Sequence, residues 1–252
     1  MRIATPARAV GAVAAVVALG IGVSACSSGS AGSAGSSGAS DSSAASAGTV
    51  ATEARPAADV DTLKKLPARV DGGVITVGDP KAPHTVKVYE DARCPFCKKF
   101  EEGGARALAA PAAKGEVKIE YTIASFLDNN LGGSGSVKAA NALRASVEAG
   151  RFAEYHAAVY ANQPDDETDD VYTDAFLLKI ADTVDGLRGA TFDRAVKDTS
   201  YKKWVDTAME SFRDDGVQAT PTVRVDGEKP GGEGDMYGEA SFAKVLAAAG
   251  IS

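Results

Sequence analysis

Apolar runs long enough to cross a membrane are missing from this chain. A spanning helix needs roughly 20 apolar residues, and the run from Ala9 to Val23 holds 15. Clustered positive charge is missing too. Asp and Glu total 34 against 27 Lys and Arg, for a formal net charge of −7, which argues against a nucleic-acid partner. There are two histidines, His84 and His156, and three cysteines among 252 residues. A structural zinc site wants four ligands, and neither histidine has close metal-ligand spacing to the cysteines. No Met-rich stretch accompanies them, and no internal repeat is visible.

The short apolar run has a use of its own. Preceded by Arg2 and Arg8, it reads as the apolar region of an export signal. It ends in Val23-Ser24-Ala25-Cys26, which resembles the lipobox of bacterial lipoproteins. That resemblance implies a signal peptide over 1–25 and lipid attachment at Cys26. The other readings are an ordinary cysteine behind a normal cleavage site, and an uncleaved anchor. Loss of 1–25 removes two arginines and no acids, taking the charge from −7 to −9.

Ser27 to Gly48 contains only Ser, Gly, Ala and one Asp. Such a stretch cannot bury enough apolar surface to offset its ordering entropy. A lipid-anchored flexible linker is expected over 26–58. By the random-coil rule, about 30 such residues hold a domain on the order of 30 Å from its anchor. The expected location is the extracytoplasmic face of the cell membrane, where disulfides persist.

The remainder, 59–252, is long enough for one domain with a sizeable core. A short helix is expected over Asp59–Leu66 and a strand over Gly73–Gly78. Thr85–Glu90 alternates β-branched and polar residues and reads as a strand. A helix beginning at Pro95 is expected to reach about Ala109, followed by a strand over Glu116–Ala124. Strand, helix and strand in that order predict a parallel crossover. From about 136 to 215 the pattern is helical, with Ser136 the expected N-cap of the first long helix. The segment Ala219-Thr220-Pro221-Thr222 then opens a strand that closes at Asp226-Gly227. Glu228–Gly238 is a weak, glycine-heavy strand candidate, and Glu239–Ala249 a terminal helix.

The two remaining cysteines frame Cys94-Pro95-Phe96-Cys97, at the junction of a strand and a helix. A loop that short restrains almost nothing, so a structural disulfide is a poor reading, and half of a metal site is the other alternative. As a helix N-cap, Cys94 faces backbone N–H groups that lack intrahelical partners, with Pro95 at the favoured first position. The helix dipole favours an anion there. Together with hydrogen bonds to sulfur, this predicts a thiol pKa of about 6 or 7, against about 8.5 for a free cysteine. Lys98 and Lys99 add positive charge nearby, and Glu101 and Glu102 partly offset it. His156 falls on an apolar stripe with Phe152 and Tyr155, as a packed histidine does; His84 is expected in a loop.

The Cys94-Pro95-Phe96-Cys97 motif, the downstream Thr220-Pro221, the stretch Val77–Cys97 and the helical segment resemble the thioredoxin superfamily, in its DsbA-like branch, from roughly Gly73 onward. The resemblance implies an α/β thioredoxin-like fold with a helical insertion between its βαβ and ββα halves. It implies a thiol–disulfide oxidoreductase that forms, reduces or isomerises disulfides in cysteine-containing exported proteins, with Cys94 as the reacting sulfur and Cys97 the resolving one. Pro221 would be cis and would present the backbone of Thr220 to an extended substrate, with Pro95 and Phe96 as neighbours of the site. No cofactor beyond the Cys94–Cys97 disulfide is called for, and a membrane redox partner would recycle the pair. Two departures stand out. Many thioredoxin-like proteins carry a buried acid six residues before the first cysteine, where this chain has Val88; Glu90 and Asp91 are the nearby acids. Phe96 replaces a histidine found in strongly oxidising relatives, which predicts a less oxidising couple. The alternative functions are a copper-handling lipoprotein on the same scaffold, since thiolates suit Cu(I), and a non-catalytic interaction module. The insertion either shapes a substrate groove or caps the sheet.

Overall fold

The computed structural model describes residues 53–56, 60–232 and 234–252, all within one compact unit. The expected signal peptide, Cys26 and most of the linker lie outside the described residues. Within the expected linker, Arg55 exchanges two hydrogen bonds with Asn162: its N–H donates to Oδ1 and its carbonyl accepts from Nδ2, both at 2.7 Å.

The sheet is built from β1 (Ala68–Asp71), β2 (Val74–Val77), β3 (His84–Asp91), β4 (Val117–Ala124) and β5 (Thr222–Val225), in the order β1-β2-β4-β3-β5. β3 and β4 run parallel, as the crossover predicts, with Val88 opposite Tyr121 and Glu90 opposite Ile123. β5 lies antiparallel to β3. β1 was not anticipated. It forms a hairpin with β2 around Gly72, whose φ of 52° suits a residue without a Cβ. His84 starts β3 rather than lying in a loop, and its Nδ1 sits 2.7 Å from Asp226 Oδ2.

The crossover helix is shorter than expected. α1 (Pro95–Glu101) stops, a 3-10 turn covers Gly104–Leu108, and α2 (Ala109–Ala113) follows. The cause is a close backbone approach from the far end of the chain. A Cβ on Gly103 would lie 2.2 Å from the Tyr237 carbonyl oxygen, and one on Gly104 would lie 1.8 Å from that of Met236. Met236 and Tyr237 belong to the segment expected as a weak strand. That segment makes one isolated bridge, Val225 to Glu228, and a 3-10 turn at Asp235–Tyr237. Its glycines carry no side chains to pack in a pleat. The expected first helix likewise reduces, among the described residues, to a 3-10 turn at Leu63–Lys65.

After a short α3 (Leu127–Leu131), the insertion is built of helices joined by loops: α4 (Gly135–Glu148), α5 (Phe152–Ala161), α6 (Asp174–Ala181), α7 (Ala190–Lys197) and α8 (Lys202–Asp214). α4 starts one residue before Ser136, whose hydroxyl instead donates to Asp91 Oδ1 at 2.7 Å. Carboxylates from elsewhere serve the first N–H groups of α4. Asp128 accepts from Ser136 and Val137, and Asp170 from Ser134 and Gly135. The last helix, α9 (Glu239–Ala248), puts Phe242 edge-on to Phe100 of α1, 5.7 Å between ring centres.

Candidate active site

The β3 strand delivers the chain to the site through a turn in which the Cys94 N–H donates to the Asp91 carbonyl at 2.9 Å. Cys94 is the N-cap of α1, in extended conformation, with Pro95 at the first helical position. Both cysteines are free thiols, 5 % and 0 % exposed. Tyr160 of α5 packs against the pair. Gln163, just beyond α5, fixes the turn, since its Nε2 donates to the carbonyls of Ala92 at 2.6 Å and Cys94 at 3.0 Å.

The two sulfurs are driven apart in acidity. Cys94 is lowered to about 6, first by a hydrogen bond from the Cys97 thiol and then by Thr220 and the backbone N–H groups of Cys97 and Phe96; burial opposes them. Cys97 is raised well above the ordinary thiol value, first by burial and then by donating to Cys94. One sulfur is therefore a thiolate at neutral pH while its neighbour keeps its proton, and the thiolate is the nucleophile. Lys98 and Lys99 direct their ammonium groups elsewhere. Lys98 donates to the Gln163 carbonyl at 3.2 Å, and Lys99 lies 4.7 Å from the centre of the Tyr237 ring.

Thr220 and Pro221 come to the same place. Their peptide bond is cis, and the Thr220 carbonyl oxygen lies 3.2 Å from Cys94 Sγ, where it accepts from the sulfur in its thiol form. Phe96 is 57 % exposed beside Tyr237, 6.3 Å between ring centres. An apolar ring, a backbone carbonyl and a reactive sulfur thus share one edge of the molecule.

Behind the sulfurs lies a group of buried acids. Glu90 is fully buried, and its Oε1 is 2.5 Å from His156 Nε2. Burial raises Glu90 to about 8, and the charge of Cys94 adds to the shift. Asp91, raised by burial to about 7, instead holds the turn together through Ser136 and the N–H groups of Arg93 and Leu127. Of the two acids, Glu90 is the one coupled by charge to both sulfurs: the Cys94 charge raises it, and its own charge raises Cys97. His156 is packed and hydrogen-bonded, as its stripe implies. The part played by Glu101 was not foreseen. It turns inward to within 3.7 Å of His156 Nδ1 rather than offsetting the lysines at the surface. Arg93 was also missed. It is 1 % exposed and donates to Asp128, to the Gly132 carbonyl and to the Glu167 carbonyl.

A family model described as thioredoxin matches residues 71–237. No curated protein matches the chain in sequence. Among solved structures, BdbD from Bacillus subtilis is similar at a TM-score of 0.59 and 22% identity, over 72% of this chain and 97% of that one. DsbG of Mycobacterium tuberculosis, described as a disulfide bond oxidoreductase, aligns at a TM-score of 0.57 and 25% identity, over 72% and 89%. MdbA, a thiol-disulfide oxidoreductase from Corynebacterium matruchotii, aligns at 0.55 and 21%, over 66% and 87%. With the family match spanning more than half of its length, from the β1–β2 hairpin through the Cys94–Cys97 pair to Tyr237, the chain belongs to the thioredoxin family.

Proposed function

We propose that this chain is a thiol–disulfide oxidoreductase working on cysteine-containing exported proteins through the Cys94–Cys97 couple. The observation that carries this reading is the opposed acidity of two adjoining sulfurs beside the Thr220 carbonyl. In the oxidising direction a substrate thiolate attacks Cys94 Sγ of the disulfide. The Cys94–Cys97 bond breaks, a substrate–Cys94 bond forms, and Cys97 leaves with the electron pair. Glu90, protonated at neutral pH in its raised state and coupled by charge to Cys97, is the acid that supplies the proton Cys97 requires. A second substrate thiolate then attacks the substrate sulfur of the mixed disulfide, and Cys94 leaves as a thiolate that its low pKa stabilises. In the reducing direction the Cys94 thiolate opens a substrate disulfide. Cys97 gives up its proton and attacks Cys94 to release the second substrate thiol.

Pairing of an extended substrate with the backbone at Thr220 recognises no side chain, which suits a broad set of protein substrates. Phe96 adds an apolar contact at the same edge. Tethering through Cys26 at the extracytoplasmic face of the membrane, and a membrane partner that recycles the pair, complete the reading; both rest on the lipobox and the family resemblance. A copper-handling role draws no support from the geometry. Among the described residues, the group outside the cysteines that could hold an ion is Glu90, Glu101 and His156, and it offers no sulfur. The deciding experiment is a Cys97→Ala variant in the producing cell. It should accumulate mixed disulfides through Cys94 that vanish on reduction; a chain that forms no such adducts during substrate turnover is not acting by this route. Acid quenching and alkylation of the wild type then read the direction from the resting state of the pair.

A further inference from the structure

Glu90 from β3, Glu101 from the end of α1 and His156 from α5 turn inward to one point. One ligand atom from each lies within 4.8 Å of those from the other two. Their side chains are 0 %, 9 % and 4 % exposed. His156 contacts a carboxylate at each ring nitrogen, Glu90 at 2.5 Å and Glu101 at 3.7 Å. Each carboxyl also has a buried oxygen without a hydrogen-bond partner, Glu90 Oε2 and Glu101 Oε1. The surroundings are aromatic, with the rings of Tyr121, Phe152 and Tyr160 centred 4.8, 5.1 and 5.1 Å from that of His156. Two unpartnered carboxyl oxygens in so dry a setting are costly, and both groups are pushed up to about 8. A cavity of about 520 Å³ reaches Glu101 and His156 but is not lined by Glu90. Glu101, His156 and Tyr160 line it together with Val60 and Leu63, while Thr220 and Pro221 do not.

We propose that Glu90, Glu101 and His156 form a binding site for a divalent first-row transition ion of the zinc type, with an open coordination position toward the cavity. One imidazole and two carboxylates are ligands zinc accepts, and three protein ligands with one open position is a known arrangement for it. The dication supplies the positive charge that the paired carboxyls lack, and Glu90 Oε2 and Glu101 Oε1, which make no close hydrogen bond, give it donors. Carboxylate and imidazole ligands bind the ion in their deprotonated forms, so affinity rises with pH. The charge of Glu90 acts on Cys97, so an ion held there bears on the resolving cysteine.

The test uses the full chain with its cysteines oxidised or alkylated, so that thiolates cannot bind the ion. Zinc is titrated calorimetrically in two buffers of different ionisation heat, and cobalt is used for its visible spectrum. The expected result is one ion per chain, with proton release, a raised melting temperature and an affinity that increases with pH. Glu101→Gln and His156→Gln should each weaken binding by at least about 100-fold, beyond what loss of an outer-shell partner costs. If His156→Gln does not fold, Glu101→Gln decides, because it keeps the volume of the side chain. Absence of heat and of a melting shift at millimolar zinc overturns the proposal, as does undiminished binding by a folded variant. Binding that appears only with free thiols overturns it too. The readout involves no turnover, so it stands or falls independently of disulfide exchange.

Discussion

The lowered acidity of Cys94 can be attacked at its main source. The Cys97 thiol donates the hydrogen bond that contributes most to it, and Cys97→Ala removes that donor. Hydrogen bonds to a charged group are worth about 1.5–3 kcal/mol, which corresponds to roughly 1–2 pKa units. Cys94 starts at about 6, so the variant should titrate at about 7–8. At pH 7 the thiolate fraction then falls from about nine tenths to between a half and a tenth. Intrinsic nucleophilicity rises as basicity returns, with a Brønsted slope of about 0.4–0.5. The pH-independent plateau of alkylation should therefore increase by roughly 3- to 10-fold while the midpoint moves up. The assay is the rate of iodoacetamide alkylation of Cys94 against pH, paired with thiolate absorbance, for the reduced wild type and the variant. A midpoint that stays at the wild-type value, or falls, would refute the claim that the neighbouring thiol sets the acidity. It would leave Thr220, followed by the backbone N–H groups of Cys97 and Phe96, as the principal cause.

Two further expectations follow from the core. Glu90 and Glu101 hold their protons to about 8 in the fold, against an ordinary 4.5. Folding therefore takes up protons between those values, and the associated stability is complete below 4.5 and is lost as pH rises through 8. His156, lowered from 6.5 by burial, acts in the opposite sense, but only below 6.5. Urea unfolding of the oxidised protein between pH 6.5 and 8 should show stability falling by about 1.4 kcal/mol per pH unit for each proton taken up. Glu90→Gln should flatten that slope, and an unchanged slope would mean the carboxyl is ionised in the fold. Gly104→Ala drives a methyl against the Met236 carbonyl, where 1.8 Å is available. Overpacking of this kind costs about 1–3 kcal/mol, or roughly 2–12 °C in melting temperature for a chain of this size. A variant melting with the wild type would show that the Met236–Tyr237 turn gives way freely.

What could be read ahead of the structure was local. β3 and β4 announce themselves by alternation, and Cys94-Pro95 announces a helix start, because those signals depend on residues within one turn or one pleat. β1 was readable and was missed; Asp71-Gly72 between alternating runs is a hairpin signal. The break after Glu101 could not be read. Its cause is a pair of carbonyls at Met236 and Tyr237, far along the chain. The same holds for the start of α4, where Asp128 and Asp170 do what a local Ser136 cap was expected to do. Glu101 looked like a surface charge because sequence spacing relates it to Lys98 and Lys99. Only the docking of α5 shows that it meets His156.

The placement of the buried acid connects these observations. A strand turns successive side chains to opposite faces, so Glu90 lies on the same face as Val88, two residues nearer the cysteines. Val88, at the position where thioredoxin-like relatives often carry an acid, is fully buried and apolar. Moving the acid along the strand changes the partners within its reach. Opposite Val88 on β4 is Tyr121, and the ring of His156 stacks near Tyr121, which sets His156 Nε2 against the carboxyl of Glu90. The polar partner for a displaced acid therefore comes from α5, within the insertion. The same helix brings Tyr160 against the cysteine pair, and the residue beyond it, Gln163, holds the carbonyls of Ala92 and Cys94. An insertion expected to shape a groove or cap the sheet also supplies the floor of the site. A change in α5 that spares every cysteine should consequently alter how protons reach Cys97.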